Sequence, residues 1–391
     1  GNSYGILSVG DDNNVAGRNY SFLAPYFTSA ANVDVEAGYL EMPASTIACL
    51  ASGGSVTVKA TGEIPYSTLY PLNENGIGIS MDLGSQDLLP FESEIMTTKN
   101  LGLGIYTTGG GNVNVTALGT INLDSSRIAT FDGGNIIVKS YTGDINAGSG
   151  GTGAVPVNYF APNYNGSDLE YVPANGIIAA TLTGGRKVPP GAVLLPGNIS
   201  VETPEGSIYA SIGGISQIAY NEILTPSSGS ASITLNAGSS GYIGNLELGD
   251  SGVIGINVNA KASGNIDGLI ISQQNANIDA AGNFAGTVFS GGKTTLATGG
   301  TASGTIVAAG GLNASGGTLT ASVFSTSVNG GAGTLATTAT ASSTSTSAAS
   351  QTSAQAQQQV ASNDSDDDKK KKKKALLRTV GHVTVILASS S

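Results

Sequence analysis

Tryptophan is absent from this 391-residue chain, histidine and cysteine occur once each, and only 11% of residues are charged. Each scarcity removes a class of explanation. A lone cysteine, Cys49, has no partner for an intrachain disulfide, so stability has to come from backbone pairing and packing. Within STIACLA it reads as a small buried residue. A lone histidine, His382, leaves no multi-histidine metal site and no histidine-based triad, and reads as a surface residue of a terminal strand. No run reaches the roughly 18 apolar residues of a membrane span. No basic-then-apolar leader stands at Gly1, so the first residue is expected to begin a mature product or a fragment of something longer.

Charge is scarce and also segregated. Through Ala361 there are 9 Lys and Arg against 23 Asp and Glu, a balance of −14, and the last 30 residues carry 7 against 4, a balance of +3. An acidic body with one confined basic run, Lys369–Lys374, lacks the basic face that phosphate backbones require, so no nucleic-acid partner is expected. Beside its aspartates the lysine run reads as a solvated tether.

What the chain has in quantity is glycine, 57 residues, about one position in seven. Glycine in helix interiors costs roughly 0.5–1 kcal/mol each, which argues against helical cores. The glycines instead punctuate short alternating segments. GSVTV at 54–58 is followed by GEIPY at 62–66, GNVNV at 111–115 by GTINL at 119–123, GNIIV at 134–138 by GDINA at 143–147, and GNISV at 197–201 by GSIYA at 206–210. Alternation of the Val113-Asn114-Val115 kind is the period of a strand with one face buried. Successive pairs beginning at Gly111 and Gly134 lie 23 residues apart, the length of one winding of a β-solenoid. Gly-Asn and Gly-Asp then turn the chain between faces. Asn112, Asn135 and Asn198 are expected to tolerate left-handed backbone and to bond neighbouring backbone.

The expected fold class is therefore all-β, a parallel β-helix over 1–327, followed by a low-complexity Ala/Ser/Thr/Gln linker at 328–368 and a basic run with a terminal strand at 369–391. At about 20 residues per winding and about 4.8 Å per rung, 320 residues would give a rod about 75 Å long. The Pro- and Tyr-bearing stretch 156–196 is expected to interrupt the pattern as an insertion. Its aromatics Tyr159, Phe160, Tyr164 and Tyr171 are the candidate recognition residues, because rings on a Pro-stiffened loop stack on sugars or on a protein partner. They serve equally to shield the flank of the rod.

Catalytic candidates are sparse: Asp11-Asp12, Glu92 with Glu94, Asp124 with Arg127, and Asp168 with Glu170 near Arg186-Lys187. Glycoside hydrolysis needs paired carboxylates a few ångströms apart, and a lyase needs a positioned base, often with Ca²⁺. Asp124 and Arg127 read as a surface ion pair at a corner and Glu92/Glu94 as solvated, so no enzyme, cofactor or metal is expected.

The block GTINLDSSRIATFDGGNIIVKSYTGDINAGSGG (119–151), with PGNISVETPEGSIYASIGGI (196–215) and the run leading to LLRTVGHVTVIL, resembles the C-terminal region of filamentous haemagglutinin family exoproteins. The matching segments cover about a third of the chain, and it is their order that is specific. The resemblance implies a right-handed parallel β-helix, exported by an outer-membrane partner transporter of a Gram-negative bacterium. It implies a secreted or cell-surface adhesive rod able to self-associate into filaments and to meet a glycan or surface receptor. The secretion-signalling N-terminal domain of that family is not in the sequence, which implies the distal part of a longer precursor. The alternatives are a polysaccharide lyase or hydrolase on the same fold, or a trimeric phage tail-spike-like protein.

Overall fold

A computed structural model describes residues 6–9, 32–38, 40–41, 46–49, 54–62, 78–80, 104–107, 110–123, 126–131, 133–148, 154–160, 167–173, 176–181, 196–219 and 230–330. Among these residues every regular element is a strand. Twenty-seven strands join one sheet, and two form a separate antiparallel pair. Pairing within the large sheet is parallel throughout, and each strand bonds its equivalent in the preceding and following windings. The chain is a parallel β-helix.

Each winding passes through three faces. The first face begins, winding by winding, at Val33, Val56, Val113, Ile136, Ile199, Ile233, Val258, Ala276, Thr294, Leu312 and Val328. The second face carries the stacked column Ile121, Ile145, Ile208, Leu246, Ile266, Phe284 and Ala302. The third carries Ile47, Ile105, Ile128, Ile177, Ile215, Val253, Ile270, Val288, Ile306 and Val323. Described members of these columns are buried, apart from a partly buried Val328, and form one continuous core. Side chains alternate sides along a strand, so the buried set of one winding lands on the buried set of the next. Each buried Val, Leu or Ile contributes about 1.5–3 kcal/mol. Cys49 belongs to this core, as expected.

The corners explain the glycines. Before the first face, a Cβ on Gly111 or Gly197 would run into the carbonyl oxygen of Gly54 or Gly134 one winding below. Before the second face, a Cβ on Gly206 or Gly244 would meet the carbonyl oxygen of Gly143 or Gly206 in the same way. Glycine is needed at these positions because the windings approach too closely for a side chain.

The residue after the glycine ties the windings together. Asn112 Oδ1 accepts from the Asn135 amide at 2.8 Å, Asn135 Oδ1 from the Asn198 amide at 2.9 Å, and Asn198 Oδ1 from the Ser232 amide at 2.9 Å. At the second corner Asp144 accepts from Ser207 at 2.7 Å, Asn245 from Asn265 at 2.8 Å, Asn265 from Asn283 at 2.8 Å and Asn283 from Thr301 at 2.7 Å. The expected backbone bonding of the corner asparagines is therefore present. Their expected left-handed backbone is not: among the described non-glycine residues only Ser211 has positive φ, at 50°. The asparagine acts as an acceptor on an ordinary backbone, and the glycine beside it supplies the room.

Winding length changes along the rod. Equivalent first-face positions Val56 and Val113, Ile136 and Ile199, and Ile199 and Ile233 are widely separated in sequence. From Val258 to Leu312 the repeat settles at 18 residues, as in the bonds from Asn275 to Lys293 and from Asn283 to Thr301. There the corner between the second and third faces disappears, and Thr294–Ala308 runs as one 15-residue strand. Long windings use up chain, so the eleven strands of the first face make a rod of about 50 Å at about 4.8 Å per rung, not 75 Å.

Within the stretch 156–196, Ala154–Phe160 and Ser167–Pro173 form the antiparallel ribbon, while Gly176–Thr181 is a third-face strand paired with Arg127–Phe131. Val328–Gly330 pairs with Leu312–Ala314 and extends the sheet past 327. The linker and basic run lie outside the described residues beyond Gly330.

Candidate interaction surfaces

Outward positions on the three faces differ in chemistry. On the first face charges alternate across windings: Lys59 Nζ lies 3.4 Å from Glu36, Lys139 Nζ 3.2 Å from Glu202 and Lys261 Nζ 3.6 Å from Asp279. Lys139 also sits 5.1 Å over the Tyr141 ring. Exposed pairs of this kind contribute about 0.2–1 kcal/mol each, so this face is balanced and strongly solvated.

On the second face the outward column passes through Asn146, Tyr209, Glu247 and Asp267. Parallel register places Glu247 and Asp267 on adjacent rungs, and no lysine or arginine is bridged to either among the described residues. Partial burial pushes the Glu247 carboxyl above its ordinary range, and the charges of Asp267 and Asp144 push it further. Partial burial also raises Asp267, against a backbone hydrogen bond from Leu248 that lowers it. Tyr209 is raised by burial first and then by Asp144, with Glu247 adding to it and a Ser207 hydrogen bond opposing. No group of three or more metal-ligating residues forms among the described residues.

The third face is apolar on its outer side as well as its inner side. Register aligns Ala48, Tyr106, Ala129 and Ile178 on the outward positions of the early windings, and all four are buried. Burial pushes the Tyr106 hydroxyl up to about 12, with the Arg127 charge acting in the opposite direction. Arg127 is itself 1% exposed, so it is not the surface corner ion pair expected with Asp124, which lies outside the described residues. In the later windings the same column continues as Ile254, Ile271, Phe289, Val307 and Phe324, of which all but Val307 are half-buried.

The candidate aromatics fall on the ribbon. Tyr159 and Phe160 lie in Ala154–Phe160, paired with Asp168 and Ser167, and Tyr171 lies opposite Pro156. Tyr164 is outside the described residues, as are Asp11, Asp12, Glu92, Glu94, Arg186, Lys187, the lysine run and His382. Asp168 and Glu170 lie on the second ribbon strand.

Two features went unnoticed in the sequence. Glu247 and Asp267 are 20 residues apart and meet only through the winding register. The apolar outer column had a legible signal: consecutive apolar pairs, Val253-Ile254, Ile270-Ile271, Val288-Phe289, Ile306-Val307 and Val323-Phe324, that break the alternation once per winding. Compared with protein families, with curated proteins and with solved structures, this chain matches none.

Proposed function

We propose that this chain is a secreted structural and adhesive rod of the filamentous haemagglutinin type, non-enzymatic, displayed at the surface of a Gram-negative bacterium. Export would use an outer-membrane partner transporter, and the rod would engage a glycan or surface receptor without nucleic acid. The observation that carries the reading is the in-register parallel ladder on the first face from Val33 to Gly330, closed at two corners by hydrogen-bonded side-chain columns. Such a ladder makes a stiff spacer, and stiffness with extended lateral surface is what a surface rod requires. The test is negative-stain microscopy of the full chain, with binding of the purified protein to glycan-bearing surfaces. Rods about 50 Å long that bind support the proposal. Compact particles, or rods that bind no surface, overturn it.

One observation favours a polysaccharide-active enzyme instead. Glu247 and Asp267 sit one rung apart with raised carboxyls, and a retaining glycosidase pairs two carboxylates about 5–5.5 Å apart, one held protonated. Release of reducing sugar from an acidic or neutral glycan panel, lost in Glu247→Gln, would establish that reading. Inactivity across the panel would remove it.

A further inference from the structure

We infer that the outer side of the third face, from Val253 to Ser325, is a lateral self-association surface whose occupant is the same stripe of a second copy. The inference rests on the rod reading and adds the surface and the partner. Outward Ile254, Ile271, Phe289, Val307 and Phe324 stack in register, with Val307 between the two phenylalanines and only 7% exposed. The flanking corner segments, Gln273-Gln274, Gly291-Gly292 and Ala309-Gly310, are small or uncharged.

Three observations select a second copy. In the early windings this outer column is buried within the fold, and those windings carry long extra segments of chain. From Val258 onward the repeat is 18 residues and leaves no spare chain within the winding to cover the face. Charge makes the second argument. The chain carries a net −11, and in these windings Glu247, Lys261, Asp267, Asp279 and Lys293 all occupy the other two faces or their corners. The third face alone lets two copies meet without burying like charges. Periodicity makes the third. A stripe repeating at about 4.8 Å is complemented rung for rung by another stripe of the same repeat, related by a two-fold axis.

The stripe is short, and at about 300 Å² it falls well below the roughly 800 Å² per partner of a standard interface. Pairing is therefore weak and concentration-dependent.

The experiment is light scattering of the full chain over an about hundredfold concentration range, paired with micrographs of the same samples. Expected are mass growth with concentration, strengthening at higher salt as the net charge is screened, and rods lying side by side. Phe289→Lys is expected to raise the concentration for half-association at least about tenfold, equivalent to about 1.4 kcal/mol, while Tyr242→Lys, at an exposed corner loop, leaves it unchanged. A Phe289→Cys variant should react with maleimide when dilute and be protected when concentrated, Cys49 being buried. Single rods at every concentration overturn the inference and leave the rod reading standing, whereas compact particles sink that reading itself. Growth end to end and indifferent to Phe289→Lys overturns it, and so does a Phe289→Cys variant whose new thiol is already shielded by its own chain at the lowest concentration.

Discussion

A corner asparagine contributes its acceptor to a neighbour one winding away, so its removal is read in the stacking and not in its own strand. Asn135→Ala deletes the acceptor of the Asn198 amide and of the Asn198 side-chain nitrogen at 3.3 Å. It should destabilise by about 1 kcal/mol in urea unfolding, and Asn135→Asp, which keeps Oδ1, by less. Gly206→Ala places a Cβ against the Gly143 carbonyl and 2.8 Å from Asp144 Oδ1, so the windings have to separate. The expected loss is about 2–4 kcal/mol. Gly249→Asn, at φ 58° with only the Ser211 carbonyl 3.5 Å away, should cost under about 1 kcal/mol in the same assay. At this scale the Gly-Asn and Gly-Asp pairs were legible because the dipeptide recurs in register with the strands. Which of the two residues needs the unusual space was not, since that depends on the distance to a winding the local sequence does not contain.

Between neighbouring strands, the acidic step on the second face gives a pH dependence opposite to ordinary acid unfolding. Glu247 and Asp267 have folded-state carboxyls raised above their ordinary values of 4.5 and 3.8. In the window opening at those values and extending upward, the folded chain holds more protons than the unfolded one. Their unfavourable contribution is absent below the window and grows as pH rises through it. The melting temperature of wild type should therefore fall across that window more steeply than that of Glu247→Gln, measured by circular dichroism from acid to neutral pH. An unchanged slope in the variant would remove Glu247 from the account. The sequence showed the strands of these windings through their alternation. It did not show the carboxylate contact, because a residue's neighbour across a parallel rung lies 18 to more than 60 positions away, depending on how much chain the winding consumes. The ribbon of Tyr159, Phe160 and Tyr171 was legible as a departure from the repeat, and its antiparallel pairing follows from tertiary register alone.

For the molecule as a whole, a stack in which each winding touches its neighbours should not unfold as one unit. In Gly206→Ala, hydrogen exchange is expected to rise in Ile199–Thr203 and Ser232–Ala237 while Phe284–Ser290 and Leu312–Leu319 keep their protection; uniform loss across all four would show a single cooperative unit. The sequence by itself determined the class of the fold, because a two-residue alternation repeatedly broken by glycine admits stacked strands and little else. It also determined which side chains face the core, since alternation assigns inside and outside without reference to distant residues. Tertiary structure alone decided how many windings the chain makes, what the outward columns bring together and where the outer surface turns apolar. The physical reason is that parallel register is set by the length of every intervening loop, a sum over the whole winding that no local pattern encodes.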